Sequence, residues 1–190
     1  ADKALAALEN MNAFVLPGSK EREAVLDKNF DIAGYAKKNM PKTAAKLLVF
    51  TNPAHWSKVA YTQKKGKADL DVLKCYVCLY LQRKDMERLF SAEKMRGYLN
   101  AEDMKKLAAQ VYSEWMEAGA DTKTKGAMTL YGIHGGEEAV AALKDAVRHF
   151  DNSMRSAMAG DAVRALAVSH STMALVAVDN MARVYRNKLV

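Results

Sequence analysis

Proline, cysteine and long apolar runs are all scarce in this chain, and each scarcity removes a class of answer. Of 190 residues, three are proline and two are cysteine. Two cysteines cannot build the multi-bridge framework of a small secreted domain, so a reducing, cytoplasmic compartment is expected. The longest apolar stretches, such as CYVCLYL at 75–81, fall far short of the roughly 20 residues of a membrane helix, and no membrane contact is expected. The N-terminus ADKALAALEN has no basic leader, no continuous apolar core and no initiator Met. It reads as the edge of a segment excised from a longer protein rather than as a signal peptide. Alternation of period two is missing throughout, which argues against half-buried strands. What is present is 50% hydrophobic and 27% charged residues, enough to bury a core in a single domain.

The two cysteines, Cys75 and Cys78, have the C-x-x-C spacing but lie inside an apolar segment with Leu73, Tyr76, Val77, Leu79 and Leu81. A redox pair opens a helix, where the dipole lowers the thiol pKa. A zinc site needs two further ligands, and His55, His134, His149 and His170 are scattered singly. The pair therefore reads as two small buried hydrophobes, with no metal and no cofactor expected.

Charge is unevenly spread. Of the net +7, residues 1–68 carry +6, with 12 basic against 6 acidic residues, while 69–120 carry −1 and 121–190 carry +2. The division suggests a basic N-terminal helical portion over 1–68 and a helical-repeat portion over 69–190. The densest positive point is QKKGK, where Lys64, Lys65 and Lys67 surround Gly66 in a predicted loop. These three lysines are the candidate partner-binding residues, able to meet phosphates or an acidic protein surface. No aromatic interrupts the loop to stack a base, so weak, solvated contacts are expected there.

Helical signals dominate the chain. Pro17, Pro41 and Pro53 all fall in the first third, and NMPKTAAKLLVF and NPAHWSKVAY read as helix starts, the second with Asn52 as cap. The clearest helix is NAEDMKKLAAQVYSEWMEAG, with Asn100 as cap, Glu102 and Asp103 at the positive end and Gly119 as terminator. Its Met104, Leu107, Ala108, Val111, Tyr112 and Trp115 recur with helical period on one face. Further on, TKTKGAMTLYGI and EEAVAALKDAVRHF form one predicted pair of helices, and NSMRSAMAGDAVRALAVS and STMALVAVDNMARVYRNKL another.

Between the first two stands HGG, a step that invites comparison with phosphate-binding loops. Such loops follow a strand and converge their amides on the anion. Here the glycines follow an amphipathic helix, and Glu137 and Glu138 occupy the anion's place. Gly135 and Gly136 therefore read as a chain reversal inside a helical hairpin. A shift of 35 positions superposes Ala127 on Ala162, Ile133 on Val168, Ala139 on Ala174, Val140 on Leu175, Leu143 on Val178 and Arg148 on Arg183. Pairs at such a period bury their stripes only by stacking, which predicts an all-α fold: an α-solenoid of antiparallel helix pairs in a HEAT-like right-handed superhelix.

The stretch WMEAGADTKTKGAMTLYGIHGGEEAVAALKDAV resembles the helical-repeat segment of bacterial proteins related to the molybdate metabolism regulator, many of which carry a Trp-Gly-Arg (WGR) domain. Trp115, Gly119, Ala120, Thr122, Lys123, Ala127, Gly132, Glu137, Ala139 and Val140 occupy the places of that pattern. MALVAVDNMARVYRNKL resembles the family's last repeat helix, which precedes an uncharacterised C-terminal domain. The likeness covers residues 70–190 and departs at Gly126, where the family tends to carry tryptophan, and at Gly136, where an acidic residue is common. It implies HEAT-like repeats within a longer bacterial protein and no catalytic residues.

The residues themselves offer little chemistry. Ser169, His170 and Ser171 are neighbours without an oxyanion hole, and Asp145 and Asp151 flank His149 on the polar side of a helix. A base-excising enzyme needs aromatics and a carboxylate converging on a groove, yet Trp56 and Trp115 are the only tryptophans and Trp115 lies on an apolar stripe. The reading is a non-catalytic scaffold that holds a protein partner or a neighbouring domain. A basic nucleic-acid-binding helical module, weak in its grip, is the alternative.

Overall fold

The apolar run at 75–81 becomes part of a buried helix against which four others pack. The computed structural model describes residues 29–169 and 171–184; Pro17, His170 and the basic end at 185–189 lie outside them. The described helices are α1 (Ile32–Asn39), α2 (Ala44–Leu47), α3 (Leu70–Leu81), α4 (Phe90–Arg96), α5 (Ala101–Glu117), α6 (Gly126–His134), α7 (Gly136–Asn152), α8 (Ser156–Ala167) and α9 (Thr172–Val184). Single 3-10 turns at Pro53–His55 and Thr122–Thr124 join them. Among the described residues the fold is all-α, its only β features being the isolated bridges Ala60–Lys67 and Tyr61–Leu99. The chain divides after Asp31, and every helix named here belongs to the unit that begins at Ile32.

Nine of the twelve residues of α3 are buried, on all sides. A helix apolar all round belongs in a core, and α1, α2, α4 and α6 all pack on α3. Cys75 and Cys78 are fully buried free thiols within it. Burial pushes Cys75 up to about 11, and burial followed by the neighbouring Cys75 pushes Cys78 up to about 12. Both shifts run opposite to what a nucleophilic or metal-binding thiolate requires.

Helix α5 forms as its sequence dictates. The Asn100 side chain accepts from the Asp103 N–H at 3.1 Å, the six stripe residues are buried, and Gly119 leaves the helix with φ +91°. Just past the C-terminus of α5, Arg155, distant in sequence, donates to the carbonyls of Gly119, at 3.3 Å, and of Ala120. A cation there complements the negative end of the helix dipole.

Helices α6 and α7 are separated by a single step. Gly135 donates to the Tyr131 carbonyl at 2.7 Å, and Gly136 reverses the chain with φ +58°, as the hairpin reading of HGG requires. Helix α8 packs against both α6 and α7, and α9 against α7 and α8. Two glycines make the approach around α6 possible. A Cβ on Gly126 would lie 1.9 Å from the Tyr80 carbonyl oxygen of α3, and one on Gly132 would lie 2.4 Å from that of Ala165 in α8. A tryptophan at 126, the residue the resembled family tends to carry, has no room in this arrangement.

The segment NPAHWSKVAY corrects a sequence expectation. Asn52 does cap, accepting from the Ala54 N–H at 3.1 Å, but the helix ends after one 3-10 turn and Trp56 turns extended. Side chains of α5 take the backbone donors that a helix would use: Gln110 Oε1 accepts from Ser57 N–H at 3.1 Å, and Asp103 Oδ2 from Ala60 N–H at 3.0 Å. The buried Trp56 indole is held by Thr51 Oγ1 at 2.7 Å. NMPKTAAKLLVF likewise yields only the one turn of α2.

Burial follows the 35-residue offset over part of its length. Thr124 and Ala159, Ala127 and Ala162, Leu130 and Ala165, Tyr131 and Leu166, and Ala139 and Ala174 are buried in pairs. Other correspondences break: Lys123 is exposed where Met158 is buried, Thr129 and Gly132 are buried where Arg164 and Ala167 are exposed, Val140 is 2% exposed and Leu175 51%, and Val147 is buried where Ala182 is exposed.

Candidate functional site

The lysine loop is a tight basic tip. Tyr61 N–H donates to the Gly66 carbonyl at 3.2 Å and Ala68 N–H to that of Val59 at 2.7 Å, while Gly66 adopts φ +118°. Lys64, Lys65 and Lys67 are all exposed there. Tyr61, just outside the loop, is buried; its hydroxyl lies 3.1 Å from Asp69 Oδ2, and the Lys64 ammonium sits 4.1 Å from its ring centroid. Its ring is thus already covered by a cation, and both tryptophans are buried as well. The tip presents charge without an aromatic platform, and its base is fastened to the α4–α5 connection by Thr62 N–H on the Tyr98 carbonyl and Asn100 N–H on that of Ala60.

A polar cluster that the sequence reading did not identify lies where α3, α4, α6 and the end of α8 meet. The Tyr76 hydroxyl and His134 Nε2 are 2.8 Å apart, and Tyr80 donates to Glu93 Oε1 at 3.0 Å. Glu93 Oε2 is flanked by Arg96 Nε at 3.0 Å and Arg88 Nη1 at 3.4 Å. Arg88 also donates through Nη2 and Nε to the Val168 carbonyl, at 3.0 and 3.3 Å. Burial, reinforced by Arg96 and Arg88, lowers His134 to about 3. The imidazole is therefore neutral and shares a hydrogen bond with the Tyr76 hydroxyl through Nε2. Burial raises the Tyr76 and Tyr80 phenols, the charge of Glu93 adding to both. These contacts tie α3, α4, α6 and the end of α8 together, and an imidazole whose conjugate acid is lowered to about 3 is only a weak base at ordinary pH. The i,i+4 spacing of Tyr76 and Tyr80 and the i,i+3 spacing of Glu93 and Arg96 are its only traces in sequence.

Ser171, Asp145 and Glu138 are engaged elsewhere. Ser171 Oγ accepts from the Ala174 N–H at 3.0 Å and so caps α9. Asp145 pairs with Arg148 at 3.5 Å on the exposed side of α7, and Glu138 with Lys105 at 2.9 Å. Among the described residues, no group of three or more His, Cys, Asp and Glu side chains is placed to hold a metal ion, and no helix is long and apolar enough to cross a membrane.

An open cleft of about 520 Å³ lies between α2 and its exit, the C-terminal end of α5 and the 3-10 turn at Thr122–Thr124. Leu47, Val49, Phe50, Trp115 and Ala118 supply its apolar lining, and Lys46 and Lys123 are its cations. Asp121, the one carboxylate of the lining, accepts from the Lys123 N–H at 2.9 Å through Oδ1. Its carbonyl accepts from Trp115 Nε1 at 3.1 Å and Thr124 Oγ1 at 3.3 Å. Asp121 is thus engaged within its own turn, and the cleft offers an apolar surface with two ammonium groups beside the polar Thr43 and Gln82. No protein-family model, curated protein or solved structure matches this chain.

Proposed function

We propose that this chain is a non-catalytic interaction scaffold, a stack of antiparallel helix pairs in a HEAT-like right-handed superhelix that holds a protein partner or a neighbouring domain of the same polypeptide. The observation that carries the reading is the shared burial of some positions 35 apart together with the apolar face left open on α9. Positions closed on α7 are open on α9, with Leu175 half exposed where Val140 is covered. Met173 and Val176 are exposed beside it. An array of stacked pairs leaves such a face at its end, because each pair buries its stripe only against the next. The relationship to the helical-repeat segment of molybdate-regulator-related proteins belongs to the same proposal, and so does the absence of catalysis. The polar cluster, whose phenols and imidazole bond to side chains of other helices, favours a structural part over a reactive one.

A photo-cross-linking amino acid at Val176 tests the reading inside the natural polypeptide. Discrete adducts with another protein, or with another domain of the same polypeptide, are expected. Adducts with nucleic acid alone, or none, would overturn it.

A further inference from the structure

We propose that the cleft between α2, the end of α5 and the 3-10 turn at 122–124 docks an acidic segment of a partner protein through one bulky apolar anchor. This inference rests on the scaffold reading and names the chemistry of one of its partners. Val49 stands 85% exposed at the edge of the cleft, the most exposed branched aliphatic side chain among the described residues, with Phe50 beside it. A volume of about 520 Å³ accommodates an anchor and its flanks.

Charge decides the rest. Lys46, on α2, and Lys123, on the 3-10 turn, are exposed and make no ion pair among the described residues. The Asp121 carboxylate is engaged in capping the 3-10 turn. The carbonyls of Glu114, Trp115 and Met116 at the end of α5 already accept from the N–H groups of Ala118, Ala120 and Gly119. What fits is therefore an aliphatic or aromatic side chain flanked by carboxylates, the former on Val49 and Phe50 and the latter at the two ammonium groups.

Short random peptides displayed against the full chain test this directly, with the enriched peptides then measured by fluorescence polarisation. The expected consensus is one large apolar residue with acidic neighbours. Val49→Asp and the pair Lys46→Glu/Lys123→Glu should each weaken binding at least about tenfold. Both are exposed substitutions, and circular dichroism should show them folded. Replacing the peptide's acids by lysine should restore affinity for the Lys46→Glu/Lys123→Glu chain. No enrichment, a consensus without acids, or affinities that these variants leave unchanged would overturn the proposal. Peptides insensitive to Val49→Asp but abolished by Val176→Lys would overturn the cleft while leaving the scaffold reading in place.

Discussion

At the scale of single residues, the least forgiving positions are those where backbones touch. Gly126→Ala puts a methyl group 1.9 Å from the Tyr80 carbonyl oxygen, a main-chain atom of the central helix that cannot step aside. Such overpacking costs about 3 kcal/mol or more, which urea unfolding monitored by circular dichroism would register as a lowered midpoint. Gly160, with nothing near its added Cβ, is the control, and alanine there should be neutral or stabilising inside a helix. His134 gives a pH dependence. Its folded pKa, lowered to about 3, lies below the ordinary 6.5, so between those values the unfolded chain binds a proton that the folded chain does not. Stability contributed by the neutral imidazole is complete above about pH 6.5 and is lost as pH falls towards 3, by at most about 1.4 kcal/mol per unit. The stability gap between the native chain and His134→Gln should therefore narrow from pH 7 to pH 4 in parallel denaturant titrations. A gap that stays constant would mean that the imidazole is not buried as a neutral base. Neither position advertises itself in sequence: Gly126 reads as a weak helix residue and His134 as a lone histidine, because their meaning lies in what other segments bring against them.

Individual elements differ in how legible they are. Helices α5 and α7 carry their own instructions, with Asn100 as a cap, acids in both first turns and a single apolar stripe on each. Local and tertiary preferences agree there, and sequence reading places them well. The 53–62 segment carries a cap and an N1 proline too, but its donors are claimed by Gln110 and Asp103, about fifty and forty residues downstream. That competition is tertiary and leaves no local trace. Joining α6 to α8 is a similar long-range interaction: Asp161, 3% exposed, lies 2.5 Å from Lys125 Nζ and 2.9 Å from Arg164 Nη1. Asp161→Ala leaves Lys125, itself largely covered, without its counter-charge, at an expected cost of about 3 kcal/mol. Asp179→Ala breaks the exposed Asp179–Arg183 pair on α9 and should cost no more than about 0.5 kcal/mol. Thermal melts of the two variants side by side would show whether burial or mere pairing sets the difference; equal losses would remove the Asp161 pair from its role as a fastener.

For the molecule as a whole, the open question is what its positive charge meets. The candidate lysines Lys64, Lys65 and Lys67 are on the surface, so electrostatic attraction to a polyanion is open to them. Specific or tight binding needs more than that. Bidentate donors to phosphate come from arginine, and the tip has none. Stacking needs a free aromatic face, but Tyr61 is buried beneath Lys64 and both tryptophans are in the core. The arginines of the polar cluster are occupied by Glu93 and the Val168 carbonyl. Duplex DNA should therefore bind weakly, without regard to sequence, and release almost completely at physiological salt. Fluorescence anisotropy across a salt series checks this. If the tip does track phosphates, changing Lys64, Lys65 and Lys67 to Ala lowers the slope of log affinity against log salt by roughly one unit for each phosphate no longer neutralised. The expected result is a small slope that the triple change barely alters, because three mobile ammonium groups around one glycine hold no fixed register on a backbone. Submicromolar binding at physiological salt that the triple change destroys would make nucleic acid, rather than protein, the partner of this fold.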